Sequence, residues 1–101
     1  MVSLGKQRWR NSSAYRHWAE DIKKRDGCCM ICGSEKKLNA HHINDASNHP
    51  DLRYDMDNGI TLCRKCHVLY HILFRGGYRK KTTKKDFKKY RALVKYYMNL
   101  E

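Results

Sequence analysis

The chain has 101 residues, with 22 Lys or Arg against 10 Asp or Glu and a formal net charge of +12, which allows one small domain and no second core. Leu, Ile, Val and Phe together number 18, under the ~20% share at which a highly charged chain is expected to stay disordered, so a fold needs a staple. No apolar run approaches the ~20 residues of a membrane span, and Met1–Lys6 has no apolar stretch of a secretory signal. A membrane protein, a secreted disulfide scaffold and a large pocket enzyme are thereby excluded as first readings, and the expected compartment is the cytoplasm.

Residues 1–10 show no period and read as a basic arm. Asn11-Ser12-Ser13 supply capping side chains for an amphipathic helix to about Lys24, with Tyr15, Trp18 and Ile22 on one face. Asp26-Gly27 stops it, and Cys29–Gly33 forms a compact knuckle. Leu38–Ile43 reads as a short strand, Asn44–Asp57 as a polar irregular loop holding the only proline, and Gly59–Leu62 as the returning strand. A second helix is expected from about Lys65 to Phe74, with Val68, Leu69, Ile72 and Leu73 on its apolar side, and Gly76-Gly77 ends it. Thr83-x-x-Asp86 resembles a capping box for a basic third helix lined by Phe87, Tyr90, Val94 and Tyr97.

The charge is clustered. Arg75 to Lys95 holds ten basic residues and one acid, Lys6 to Arg25 seven and two, and the centre is nearly balanced. Basic ends around a neutral centre suit a phosphate polymer, because each neutralised phosphate releases counterions. Arg8, Arg10, Arg75, Arg79, Lys80, Lys81, Lys84, Lys85 and Lys88 are the expected DNA-binding residues, with double-stranded DNA as partner. Most of the Tyr and Trp side chains are expected in the core.

Cys29-x-x-Cys32 and Cys63-x-x-Cys66 are two pairs of metal-knuckle spacing, each placing two sulfurs at one corner of a tetrahedron. Together they predict one structural Zn2+ with no open position, contributing folding free energy on the order of 10 kcal/mol. Cys28 breaks the two-residue gap and is left as a spare thiol. His41 and His42 are neighbours on a strand, so their rings point to opposite sides. His67 and His71 stand at i and i+4 on one helix face, a good pair of metal ligands that His41 could complete. His17 and His49 are read as surface or core residues, His49 with a conceivable phosphate contact.

The combination of Cys-x-x-Cys, His41-His42-Ile43, Asn58-Gly-Ile-Thr-Leu-Cys-x-x-Cys-His67 and His71 resembles the HNH endonuclease family over about Trp18 to Phe74, most closely its small free-standing members common in bacteriophage genomes. The resemblance implies an α+β, ββα-metal (His-Me finger) fold: a two-stranded hairpin packed on one helix around a divalent ion. On this basis residues 1–101 form one domain, with a basic arm and helix (1–25), a ββα-metal core with zinc knuckles (26–75) and a basic C-terminal helix (76–101). His42 matches the general base and Asn58 the middle Asn. His67 matches the final His, a metal ligand, and His71 the extra ligand of histidine-rich members such as the colicin-type toxin nucleases. His41 replaces the Asp ligand of many members. The catalytic ion could be Mg2+, Mn2+, Ni2+ or Zn2+, and imidazoles favour the latter three.

The expected activity is hydrolysis of DNA phosphodiester bonds to 5′-phosphate and 3′-hydroxyl ends, by nicking or double-strand cleavage, as a monomer or homodimer. His42, titrating near its ordinary ~6.5, would take a proton from water, and Asn58 would hold that ring or its loop. The alternative is a non-catalytic zinc-dependent DNA-binding protein, which leaves the histidines and Asn58 as coincidence.

Overall fold

A computed structural model describes residues 8–74 and 83–98 of the chain. Helix α1, Ser13–Asp26, begins where Ser12 accepts a hydrogen bond from the Tyr15 N–H at 3.1 Å. It ends at Gly27, whose φ of 74° lets its N–H return to the Lys23 carbonyl; a residue bearing Cβ is disfavoured there. Ahead of α1, Arg8–Asn11 is a 3-10 turn and Trp9 is buried. Within the stretch read as a basic arm, the Trp9 ring thus has an edge contact with Tyr15 and a place in the core.

Strands β1, Leu38–His42, and β2, Gly59–Cys63, pair antiparallel with His41 opposite Ile60 and His42 opposite Gly59. The chain between them makes two 3-10 turns, Pro50–Leu52 and Met56–Asn58. Helix α2, Arg64–Phe74, follows β2 directly, and helix α3 spans Lys84–Met98. The Asp86 carboxylate accepts from the Thr83 N–H at 3.0 Å, the backward half of the expected capping box. Gly76, Gly77 and the stretch 75–82 lie outside the described residues.

The hairpin is packed on both faces. On one, Trp18, Ala19 and Ile22 of α1 lie against Ala40 and Met56. Gly59 faces them so closely that a Cβ would stand 2.5 Å from Ile22 Cδ1 and 2.6 Å from Trp18 Cζ2. On the other, Ile60 and Leu62 join Cys29, Ile31, Cys63, Cys66 and Tyr70, closed by Phe87, Tyr90 and Val94 of α3. This is the expected small α+β architecture, consistent with a ββα-metal HNH fold.

One helix face differs from expectation. Val68, Ile72 and Leu73 of α2 are exposed, and among its described side chains the buried ones are Cys66 and Tyr70. The cysteine corner sets the rotation of this helix: with Cys66 turned inward, the residue one turn on is Tyr70. Tyr97 of α3 cannot be compared, since its side chain is outside the described set.

Candidate metal centres and active site

The knuckles are built by backbone-to-sulfur bonds. Cys32 N–H points at Cys29 Sγ and Cys66 N–H at Cys63 Sγ, both at 3.5 Å. Met30 N–H bonds the Thr61 carbonyl at 2.9 Å, seating the first knuckle on β2. The four sulfurs of Cys29, Cys32, Cys63 and Cys66 lie within 4.8 Å of one another. Cys32 and Cys63 Sγ are 3.7 Å apart, against the ~3.8 Å separating thiolates about 2.3 Å from a tetrahedral Zn2+. The residues fit a closed four-sulfur metal site. Burial raises the Cys66 and Cys32 thiols above their ordinary range. Burial also pushes on Cys29, but N–H groups of Cys32, Cys63 and Ile31 bring it down to about 7. Cys28 is a free, half-buried thiol outside the cluster.

A second cluster joins β1 to α2. Nitrogens of His41, His67 and His71 lie within 4.8 Å of one another, and the Nε2 atoms of His67 and His71 are 3.1 Å apart. Two imidazoles about 2.0–2.1 Å from one ion stand roughly 3 Å apart, so the donor set fits a divalent cation. His41 is 5% exposed, and its Nε2 is buried with no hydrogen-bond partner among the described residues. Such an orphan costs free energy unless a metal takes its lone pair or a proton donor reaches it. Tyr70 and Phe87 flank the His41 ring at 4.6 and 5.6 Å between centroids. Burial, then the charges His67 and His71 would carry, hold His41 well below its ordinary value, and burial takes His67 down to about 4. The shifts of His41 and His67 favour the neutral ring that a metal ligand must present.

His42 turns to the opposite side, as strand alternation requires. Its ring stacks on Trp18 at 4.1 Å and 8° between planes, with Trp9 edge-on at 5.5 Å. Nε2 lies 2.9 Å from the Arg53 carbonyl, which can only accept, so Nε2 carries the hydrogen and Nδ1 the lone pair. The expectation of a value near 6.5 is corrected: burial against the indoles brings His42 to about 4, aided by Arg10 and Arg53. Asn58, 3% exposed, makes no hydrogen bond to that ring among the described residues. Its Oδ1 accepts from Asn44 N and Nδ2 at 2.8 and 3.1 Å, and its Nδ2 donates to the Asn44 and Leu52 carbonyls at 3.0 and 3.2 Å. These bonds tie together the loop whose Arg53 carbonyl meets His42.

Residues 29–72 match the family model for HNH endonuclease. This stretch is similar to an HNH endonuclease domain. HNH nucleases act on DNA and use divalent metals, so the domain supports a nuclease or DNA-binding function in general and a DNA partner. No curated protein and no solved structure matches the chain. Among the described residues no helix is long and apolar enough to cross a membrane.

The matched stretch is bracketed along the sequence by the basic segments. Arg8 begins the 3-10 turn, and the exposed Arg10 guanidinium lies 4.5 Å over the Trp9 ring. Lys84, Lys85 and Lys88 are exposed in the first turns of α3, whereas Arg75, Arg79, Lys80 and Lys81 lie outside the described residues. His17 is exposed, and His49 bonds the Asp45 carbonyl at 3.0 Å. Sequence reasoning passed over Trp9, Trp18 and Arg53 as neighbours of His42. Trp18 carried a signal, lying on the apolar stripe of α1, but nothing local indicated which strand residue it would meet.

Proposed function

We propose that the chain is a metal-dependent endonuclease hydrolysing phosphodiester bonds of double-stranded DNA to 5′-phosphate and 3′-hydroxyl ends. The observation that carries this reading is the orphaned, buried His41 Nε2 facing two imidazoles whose nitrogens are 3.1 Å apart. A DNA-binding module held by cysteines alone has no use for such a set. His41, His67 and His71 would hold the ion, and a divalent cation there supplies positive charge to the phosphate and the leaving 3′ oxygen. His42, neutral at pH 7 with its lone pair on Nδ1, accepts the proton of the attacking water. Asn58 keeps the loop closed behind that ring. Arg8, Arg10, Lys84, Lys85 and Lys88 grip the backbone on either side of the cut, with Arg75, Arg79, Lys80 and Lys81 of the intervening segment. Cys29, Cys32, Cys63 and Cys66 hold a structural Zn2+, and residues 1–101 act as one domain. A lone site makes one cut at a time, so a monomer nicks and a homodimer or two encounters cut both strands.

The test is supercoiled plasmid incubated with Mg2+, Mn2+, Ni2+ or Zn2+, with and without chelator. Nicked circles that follow the added ion, with 5′-phosphate ends by labelling, are expected. Intact plasmid under all four ions, together with salt-sensitive duplex binding, would instead favour the non-catalytic zinc-dependent DNA-binding alternative.

A further inference from the structure

Three donors on helix α1 converge on one stretch of main chain. Trp18 Nε1–H donates to the Asp55 carbonyl at 3.0 Å. Two turns along, Arg25 Nη1 donates to the Met56 carbonyl and Nη2 to the Gly59 carbonyl, both at 2.8 Å. These carbonyls bracket the 3-10 turn Met56–Asn58, which ends on the buried Asn58. The Arg25 guanidinium is itself held: Nε and Nη2 bond Asp26 Oδ1 and Oδ2 at 2.8 and 3.1 Å, and Asp26 Oδ2 accepts the Thr61 N–H at 2.9 Å. An arginine gripped on both edges by fixed acceptors has few geometries left, and its planar fork suits that task as a lysine would not. Solvation is the ordinary fate of an arginine 40% exposed; four directed bonds to acceptors from α1, the turn and β2 are not.

The bonds continue to the imidazole. Asn58 ties the Asn44 and Leu52 backbone, the next carbonyl along belongs to Arg53, and that carbonyl fixes His42 Nε2. Trp18 closes the circuit by stacking its ring on His42. We infer that Trp18 and Arg25, on one side of α1, are positioning residues that hold the turn carrying Asn58, and through it the His42 ring, in one orientation and one tautomer. For catalysis this rests on the endonuclease reading above; the tautomer itself does not. A base free to flip presents Nε2 or Nδ1 by turns, and misplacement of about 1 Å at a reacting group can cost about 10²-fold in rate.

The experiment compares wild type with Arg25→Gln, Arg25→Lys and Trp18→Phe, in the full chain with its cysteine site loaded. Trp18→Phe keeps a flat ring for His42 and removes the N–H, together with the volume of the second ring, so its melting temperature is read alongside. Nitrogen-15 NMR of the histidine rings should show His42 as a single Nε2–H tautomer in wild type, and as an exchanging mixture in Arg25→Gln and Trp18→Phe. Arg25→Gln should lower kcat about 10²-fold with the DNA Kd unchanged. Arg25→Lys should recover part of the loss, and Arg25→Gln should cost nothing further in a His42→Ala background. Unaltered His42 signals in both variants would overturn the inference. So would a loss that persists in the His42→Ala background, or one matched by a fall in melting temperature with kcat per folded molecule unchanged. If wild type fails to cut under every ion, the endonuclease reading fails, and the ring signals alone judge the positioning claim.

Discussion

At His42 two constraints meet on one side chain. The indole of Trp18 covers a face of the ring, and a main-chain acceptor decides which nitrogen bears hydrogen. The strand position and the outward turn from His41 were legible from the period of two. The depressed basicity was not, because it comes from Trp9 and Trp18, which are 33 and 24 positions away along the chain and reach the ring only by folding. The same is true of Asn58, whose amide was foreseen as a brace but whose partners, Asn44 and Leu52, depend on the course of the loop. His42→Ala should keep the melting temperature within a few degrees and leave duplex affinity unchanged, while plasmid cleavage drops by about 10²–10⁴-fold, the share usually supplied by a general base. Cleavage near the wild-type rate would remove His42 from that role.

Among the elements, helices α1 and α3 were readable from local pattern. Ser12 caps, Gly27 stops, and Phe87, Tyr90 and Val94 recur on one face with burial to match. Helix α2 misled for a physical reason. Its apolar residues Val68, Ile72 and Leu73 are as hydrophobic as any core stripe, but the cysteine corner at its start outweighs them in setting which side turns inward. Ligand geometry fixes direction, whereas apolar burial only rewards area. The hairpin shows a similar dependence at Gly59, where the main chain of β2 runs against Ile22 and Trp18. Gly59→Ala should cost about 1–3 kcal/mol by overpacking, measurable as a lowered urea midpoint. The same variant should slow cleavage further than its stability loss explains, since the indole it displaces is the one stacked on His42.

For the molecule as a whole, composition described a chain short of core, and the cysteine spacing named the remedy. Cys29 and Cys66 lie among the most completely buried side chains, so the cluster sits inside the larger core rather than beside it. Cys63→Ser should therefore unfold or aggregate the chain, seen as loss of the cooperative melt; an unchanged melting curve would argue against a structural ion. The charge pattern leads to a prediction of its own. With Lys84, Lys85 and Lys88 exposed on one helix and Arg10 exposed ahead of α1, log Kd for duplex DNA should change with log salt at a slope of about 0.9 per phosphate neutralised. Replacing Lys84 or Lys88 with Ala should lessen the slope by roughly one each and leave the cleaved ends the same.

The Tyr90 hydroxyl donates to the Cys66 carbonyl at 2.6 Å, fastening the lysine-bearing helix α3 to the sulfur corner. The same helix presses Phe87 against His41. On the endonuclease reading, loss of an ion held by the sulfurs would therefore disturb the imidazole pocket and the cationic flank together, whereas altering a single histidine would spare the flank.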